Sequence, residues 1–515
     1  MPDKTMSELT KNQYTPVVGM EIHVQLKTKS KMFCDSPNNP DETEPNKNIC
    51  EICTGQPGTL PVTNAEAVRL GIMLGRALNC KIPEFSKFDR KSYFYPDSPK
   101  GYQISQYDQP IAENGYVDIE LPAESGAAGG SAAPRTKRIR IRRAHLEEDA
   151  GKNIHPEGLA YSLVDYNRAG TPLMEIVTEP DIESAAEAKI FLQELRNIVR
   201  YIGAGSADME KGTMRLEPNI SVRKPGQQEL PNYKVEVKNI NSFKFAESAI
   251  EYEVARQTEI LKEGGTPKQV TMGWNEKRGE TVEQRSKEEA NDYRYFPEPD
   301  LPILHISKEQ LAELEVLIPE LPAAKRKRFA EEYGLPVGDI SALIDWKELN
   351  EYFEEVISEL KEWIEAEKMP ATSTAKLIKQ AANWCIQDFS GLLNAAKLQP
   401  QNSKIRPENL AELVKLIEQG KVSVTAAKQQ LLPEMFAKGG EPSRLIEELG
   451  LGQVSDSAAI DRAVGAVIAA QPKAVADYKS GQQKSFGFLV GMVMKELQGK
   501  GNPQLVNDAL KKALD

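Results

Sequence analysis

The sequence predicts an α+β protein in which a sheet-bearing part comes first and helices follow. Three observations predict this. Up to residue 300, short apolar–polar alternations are punctuated by Gly, Pro and Asn; beyond it, Ala, Glu, Leu and Lys recur at helical spacing; and 515 residues exceed what one hydrophobic core supports. The expected domains are 1–300, built on a sheet, 301–405, helical, and 406–515, a small all-α tail.

In VVGMEIHVQL, Val18, Met20, Ile22, Val24 and Leu26 alternate with Glu21, His23 and Gln25, so a strand there has one apolar and one polar face. MRLEPNISVR repeats the pattern with Arg215, Glu217, Asn219 and Ser221 on its polar face. Its Pro218, lacking an amide hydrogen, predicts an edge strand or a bulge. Phe191, Leu195, Ile198 and Ile202 recur at helical spacing before Gly203, and a second helix is expected from Asn241 to Leu261, ahead of Gly264 and Gly265. The small residues of 125–136 predict a flexible hairpin linker. Farther on, Tyr352, Phe353, Val356, Leu360 and Trp363 form a stripe suited to a helical core. The polar stretch LQPQNSKIRP then precedes a helix with Pro407 in its first turn, Leu410, Leu413, Val414 and Ile417 on one face, and Gly420 after it.

Composition removes several function classes. Hydrophobic residues make up 40% and charged residues 27%, with no apolar run near the ~18 residues of a membrane span. The first residues resemble neither a signal nor a transit peptide, so a cytoplasmic protein is expected. Five cysteines in so long a chain do not make a disulfide framework. A net charge of −11 argues against indiscriminate nucleic-acid coating, because phosphate binding needs Lys and Arg; any RNA contact must come from local basic patches.

Chemistry-bearing residues gather in a few places. Two of the four histidines sit beside acids, in Glu21-Ile22-His23 and in His145-Leu146-Glu147-Glu148-Asp149. Imidazole with carboxylate oxygens can hold Mg²⁺ or Mn²⁺, and it can equally form a structural ion pair. Glu175 interrupts the apolar run Pro172 to Val177, and a carboxylate buried there needs a cation, an Arg or a metal. Arg138, Arg140 and Arg142 share one strand face, open to phosphate or to solvent. Lys91 and Tyr93 stand a strand step apart in a segment, 86–110, rich in Lys, Arg, Tyr and Asp, and 291–302 has the same character. No GxxxxGK[ST] loop occurs, so nucleotide use would be of a non-P-loop kind. Cys34, Cys50 and Cys53 give one CxxC and a distant third thiol, one ligand short of the usual structural zinc site, which argues against zinc.

The wording of GMEIHVQLKTKSKMF, FDRKSYFYPDSPKGYQISQYDQP, HLEEDAGK, LVDYNRAGTPLMEIV, KNINSF, DYRYFPEPDLP and GFLVGMVMKELQGKGNPQLVN resembles the GatB/GatE family, the B subunits of tRNA-dependent aspartyl/glutamyl amidotransferases. The resemblance implies a mixed-sheet, cradle-shaped catalytic domain, a helical domain and a tail that meets tRNA. It implies a ligase reaction in which ATP phosphorylates the side-chain carboxyl of Glu-tRNA(Gln) or Asp-tRNA(Asn) and ammonia displaces the phosphate. It places Mg²⁺, or Mn²⁺ in its stead, on His23, Glu148 and Glu175, with Glu21 beside it and Lys91, Tyr93, Arg215, Glu217 and Asn219 lining the same pocket. Relatives often carry Asp where Glu217 stands, and a second Cys soon after the first where this chain has Cys34-Asp35-Ser36. The implied partners are a GatA-like amidase subunit that makes ammonia and a small bridging GatC-like subunit, a heterotrimer acting on tRNA(Gln), tRNA(Asn) or both. Between Lys473 and Lys512, seven Lys face three acids, so Lys484, Lys495 and Lys500 are expected to meet RNA phosphates. Two other readings use the same residues: a tRNA-binding scaffold whose acids are ion-paired, and a metal-dependent hydrolase.

Overall fold

The computed structural model describes residues 14–122, 135–156, 158–223, 229–286, 292–453, 457–497 and 501–514. The chain divides after Pro322 into two compact units. The strands that build the site are β1 (Thr15–Gln25), β2 (Asp89–Ser92), β3 (Tyr102–Ser105), β4 (Ala112–Leu121), β5 (Arg135–Glu148), β6 (Pro172–Thr178), β7 (Met214–Arg223), β8 (Val235–Lys238), β9 (Val270–Asn275), β10 (Glu280–Ser286) and β11 (Phe296–Pro297). Eight of them form one sheet in the order β10-β9-β8-β7-β1-β6-β5-β4, while β11-β2-β3 make a small second sheet. Every neighbouring pair of the large sheet is antiparallel except β8 with β9, so the sheet is mixed.

Alternation decides which face goes where. Val18, Met20, Ile22 and Val24 of β1 are buried in one core with α1 (Ala65–Ala77), α2 (Ala185–Tyr201) and α3 (Phe243–Lys262). Phe191, Leu192 and Leu195 of α2 are fully buried there, each worth ~1.5–3 kcal/mol relative to exposure. Ser184 and Ser242 cap the two longer helices by accepting the amides of Glu187 and Phe245. Gly203, at φ +72°, ends α2 in a conformation that side chains resist.

Of three expectations, one is corrected, one lies largely outside the described residues and one boundary differs from the division by compactness. Pro218 does not mark an edge: β7 lies inside the sheet, and its ladder to β8 is interrupted at the proline, with pairs at Asn219 and Ile220 and an isolated bridge at Leu216. The linker expected over 125–136 falls largely outside the described residues, and Arg135 and Thr136 already belong to β5. The first unit extends past residue 300 to Pro322, because Ile306 and Leu314 bury themselves in the sheet's core.

In the second unit every element among the described residues is helical. Tyr352, Phe353, Val356 and Leu360 are buried as the stripe requires, and Trp363 is half-buried. The helix Pro407–Glu418 packs against Lys347–Ala366, and Tyr352 donates to the Ile405 carbonyl at 3.2 Å, so contacts bridge the boundary expected near 405. It buries Leu410, Leu413 and Val414, with Leu416 in the place expected for Ile417. Ile460, Val464, Leu489, Val493, Val506 and Leu510 form a separate small core. No helix among the described residues is long and apolar enough to cross a membrane.

Candidate active site

The polar face of the large sheet floors a cavity of about 890 Å³. Strand register assembles its centre. His145 on β5 stands opposite Glu175 on β6, Glu175 opposite His23 on β1, and His23 opposite Arg215 on β7, one row across four strands. Glu147, two positions beyond His145, falls on the same face, and Glu21 stands opposite Glu217. Lys91 and Tyr93 reach the cavity from β2 and the residue after it, so Glu21, His23, Lys91, Tyr93, Glu148, Glu175, Arg215, Glu217 and Asn219 all line one space.

Both imidazoles aim Nε2 at the same carboxylates. His23 Nε2 lies 3.3 Å from Glu175 and 3.8 Å from Glu147, and His145 Nε2 lies 3.6 Å from each. Burial pushes the His23 imidazole down, but the hydrogen bond and charge of Glu175, with Glu147 and Glu217 behind it, outweigh that and raise it to about 9. Burial and then the Glu175 charge push the Glu21 carboxyl up to about 7. Burial opposes ionisation of Glu175, yet His145, His23 and Lys91 hold it well below the usual carboxylate range. The cluster is thus short of positive charge at Glu21. Two overlapping groups, Glu21-His23-Glu175 and His145-Glu147-Glu175, each bring their donor atoms within 4.8 Å of one another. That oxygen-rich set with imidazole nitrogen fits a hard or borderline dication.

The expected ligand Glu148 is absent from both groups. It lines the cavity wall, ion-paired with Lys100 and accepting the Ile104 amide at 2.9 Å. Glu147 takes the place beside His145, its carboxylate accepting the Ser105 hydroxyl at 3.0 Å. Glu217 accepts Lys238 at 2.7 Å. Lys91 ends 5.0 Å from the centroid of the Tyr293 ring, with Glu147 and Glu175 holding it charged against its burial. Tyr107 and Tyr295 stack at 4.5 Å, and Tyr93 and Tyr95 at 4.7 Å. Three of the five arginines of β5 are spoken for: Arg138 pairs with Asp118, Arg140 with Asp181 and Arg142 with Glu179, while Arg143 lines the cavity.

Asp149, which the sequence presents only as the last member of an acidic cluster, is a structural anchor. It accepts both terminal nitrogens of Arg215 at 3.0 Å and the Gln25 amide at 2.9 Å. Burial raises its carboxyl, but Arg215 and Arg168 prevail and hold it at about 2, below the ordinary 3.8. A lowered carboxylate stabilises above its unfolded value, and that stability is lost as pH falls through 2. Asp149→Asn, which leaves Arg215 without its counter-charge, is expected to cost about 3 kcal/mol in a urea unfolding titration at neutral pH and to remove the corresponding acid sensitivity. An unchanged transition would show the pair to be dispensable.

In the second unit Lys484 and Lys495 are exposed on the helix Gln483–Glu496, and Lys500 lies outside the described residues. Cys34, Cys50 and Cys53 converge, and Cys53 also lines the cavity.

Comparison with known proteins supplies the context for this geometry. Residues 16–312 match the GatB/GatE catalytic domain and residues 367–514 the GatB domain. The chain is 47% identical over 510 residues to the B subunit of the aspartyl/glutamyl-tRNA(Asn/Gln) amidotransferase of Thermotoga maritima, covering 98% of this chain and 99% of that protein. Similar relatives of the same name occur in Persephonella marina, 47% identical over 502 residues and covering 98% of this chain and 100% of the relative, and in Carboxydothermus hydrogenoformans, 46% identical over 505 residues and covering 98% and 99%.

Proposed function

The chain belongs to the GatB/GatE family, and from that premise we propose that the polar face of its sheet is where a side-chain carboxyl carried by misacylated tRNA is phosphorylated and then amidated. As a tRNA amidotransferase subunit it acts in making amidated aminoacyl-tRNA; the proposal adds ATP, a divalent cation and the residues that serve them. The observation that carries it is the convergence of His23, His145, Glu147 and Glu175, with Glu21 beside them and Lys91 at their edge.

A carboxylate resists amide formation because its oxygen is a bad leaving group. In the proposed reaction a carboxylate oxygen of the Glu or Asp side chain attacks the γ-phosphorus of ATP, releasing ADP and giving an acyl phosphate; ammonia then attacks the carbonyl carbon and phosphate leaves. A bound Mg²⁺ or Mn²⁺ would supply charge screening for the phosphates. The residues to hold it are Glu175, His23, His145, Glu147 and Glu21. Lys91 and Arg215 present positive charge to the transferring phosphoryl group, while Glu217 orients Lys238 at 2.7 Å on the neighbouring strand.

Ammonia is to be delivered by an amidase-type, GatA-like partner, held through a small GatC-like subunit. The test uses Glu-tRNA(Gln) and Asp-tRNA(Asn) separately. The chain with ATP, Mg²⁺ and ammonium is expected to turn over ATP only when misacylated tRNA is present and to release amidated product slowly. Glutamine is expected to support the reaction only after both partners are added. Glutamine-supported amidation by the isolated chain, or ATP hydrolysis indifferent to tRNA, would overturn the proposal. The ratio of rates for the two tRNAs reads out which amide the site prefers.

A further inference from the structure

Lys31 is the largest fully buried side chain of the first unit, at 0% exposure, yet no carboxylate of the described residues pairs with it. Its ammonium reaches the Tyr166 carbonyl at 3.3 Å and Cys53 Sγ at 3.7 Å. A buried ammonium needs an opposite charge, and the acidic group it touches among the described residues is the Cys53 thiol. The Cys50 amide donates to that sulfur at 3.2 Å and Ser36 Oγ stands at 3.8 Å, while the Cys50 carbonyl lies 3.5 Å from it. The Cys34 thiol bonds to it as well, and this bond, then the Lys31 charge, draw the Cys53 thiol well below its ordinary range against its burial.

The same arrangement is a poor zinc site. Three thiols are present where four ligands are usual, and the ammonium lying against Cys53 would confront a dication with like charge. The three sulfurs nevertheless lie within 4.8 Å of one another, and none is in a disulfide. Cys53 is 4% exposed and helps to line the active-site cavity.

We propose that Cys53 is a covalent modification site for peroxides, a thiolate held by Lys31 on the cavity wall, with Cys34 as its resolving thiol. The Cys53 thiolate attacks one peroxide oxygen, the O–O bond breaks, and the departing hydroxide takes a proton to become water, leaving a sulfenic acid. Cys34 then attacks the Cys53 sulfur, and the sulfenic hydroxyl leaves with the Cys34 proton as a second water. Two thiols are oxidised to one disulfide and one hydrogen peroxide is reduced to two waters. The product takes the counter-charge away from Lys31. Gly170 lies against this pair: a Cβ there would stand 3.4 Å from both Cys53 Cβ and Lys31 Cδ.

The test exposes the full-length protein to hydrogen peroxide at neutral pH and follows intact mass, peptide linkage, dimedone labelling and zinc content. A mass loss of about 2 Da and a Cys34–Cys53 linked peptide are expected, with Cys80 and Cys385, at 0% exposure and away from the cavity lining, unmodified as controls. Cys34→Ser should stop at a dimedone-reactive Cys53, Cys50→Ser should leave the disulfide forming, and Lys31→Met, shown folded by its melting curve, should react about tenfold more slowly. An unreactive Cys53 in the unmutated protein, one zinc per chain on these thiols, or unaltered reactivity of Lys31→Met would overturn the assignment.

Discussion

Glu175→Gln is expected to lower amidation by on the order of a thousandfold with the fold retained, the scale of removing one pre-organised electrostatic partner from a dry site. Glu175 is the common member of both donor groups and the carboxylate that both imidazoles address, at 3.3 and 3.6 Å. Glutamine keeps the shape and removes the charge. The His23 imidazole, raised to about 9 mainly by Glu175, should then titrate lower, and the site should lose its hold on a dication. Mn²⁺ binding followed by electron paramagnetic resonance separates this from a loss of tRNA or ATP affinity. Glu148→Gln is the companion variant: Glu148 is engaged with Lys100 and the Ile104 amide, so that substitution should spare Mn²⁺ binding. Full amidation by Glu175→Gln at ordinary Mg²⁺ concentration would remove Glu175 from the metal site.

That contrast between Glu148 and Glu147 marks where the sequence stops being legible. The alternations of β1 and β7 are readable because each strand keeps one phase along its length, so apolar–polar alternation by itself puts Glu21 and His23 on one face of β1, and Arg215, Glu217 and Asn219 on one face of β7. Glu175 is readable as a charge in an apolar run. In β5 the phase changes. Arg138, Arg140 and Arg142 are exposed at even positions, but an irregularity in pairing between Ile141 and Arg143 reverses the parity, so Ala144 and Leu146 turn into the core and His145 and Glu147 face the cavity. The cluster His145 to Asp149 is visible in the sequence and the family resemblance points to Glu148 within it, but the change of phase is not; Leu146 as an inward residue is the signal that puts His145 and Glu147 on the cavity face. Other partners are beyond reach for a different reason. Asp149 meets Arg215, and Arg140 meets Asp181, across 66 and 41 residues, and nothing local in either segment names the other. The tyrosines at 293 and 295 likewise come to the cavity only because β11 adds to β2.

The second large effect is expected at the other end of the chain. Lys484, Phe488, Gly491 and Lys495 recur at helical spacing along Gln483–Glu496, opposite Leu489 and Val493, which are buried in the tail's own core. Phe488 is 52% exposed between the two lysines, and a Cβ on Gly487 or Gly491 would meet open space. A basic face with an exposed ring and room for close approach suits an RNA backbone. Deleting 406–515 is a blunt test, because the helix Pro407–Glu418 packs on Lys347–Ala366 and its removal would bare that helix's apolar side. Reversing charge at Lys484→Glu and Lys495→Glu leaves the core untouched. The double variant is expected to bind misacylated tRNA about 10–100-fold more weakly at low salt, with the slope of log affinity against log salt reduced by about one for each lysine. The loss should therefore shrink as salt rises, KM for tRNA should increase, and kcat at saturating tRNA should hold, since the cavity belongs wholly to the first unit. Unaltered affinity at low salt would mean that tRNA is held elsewhere and that these lysines face only solvent.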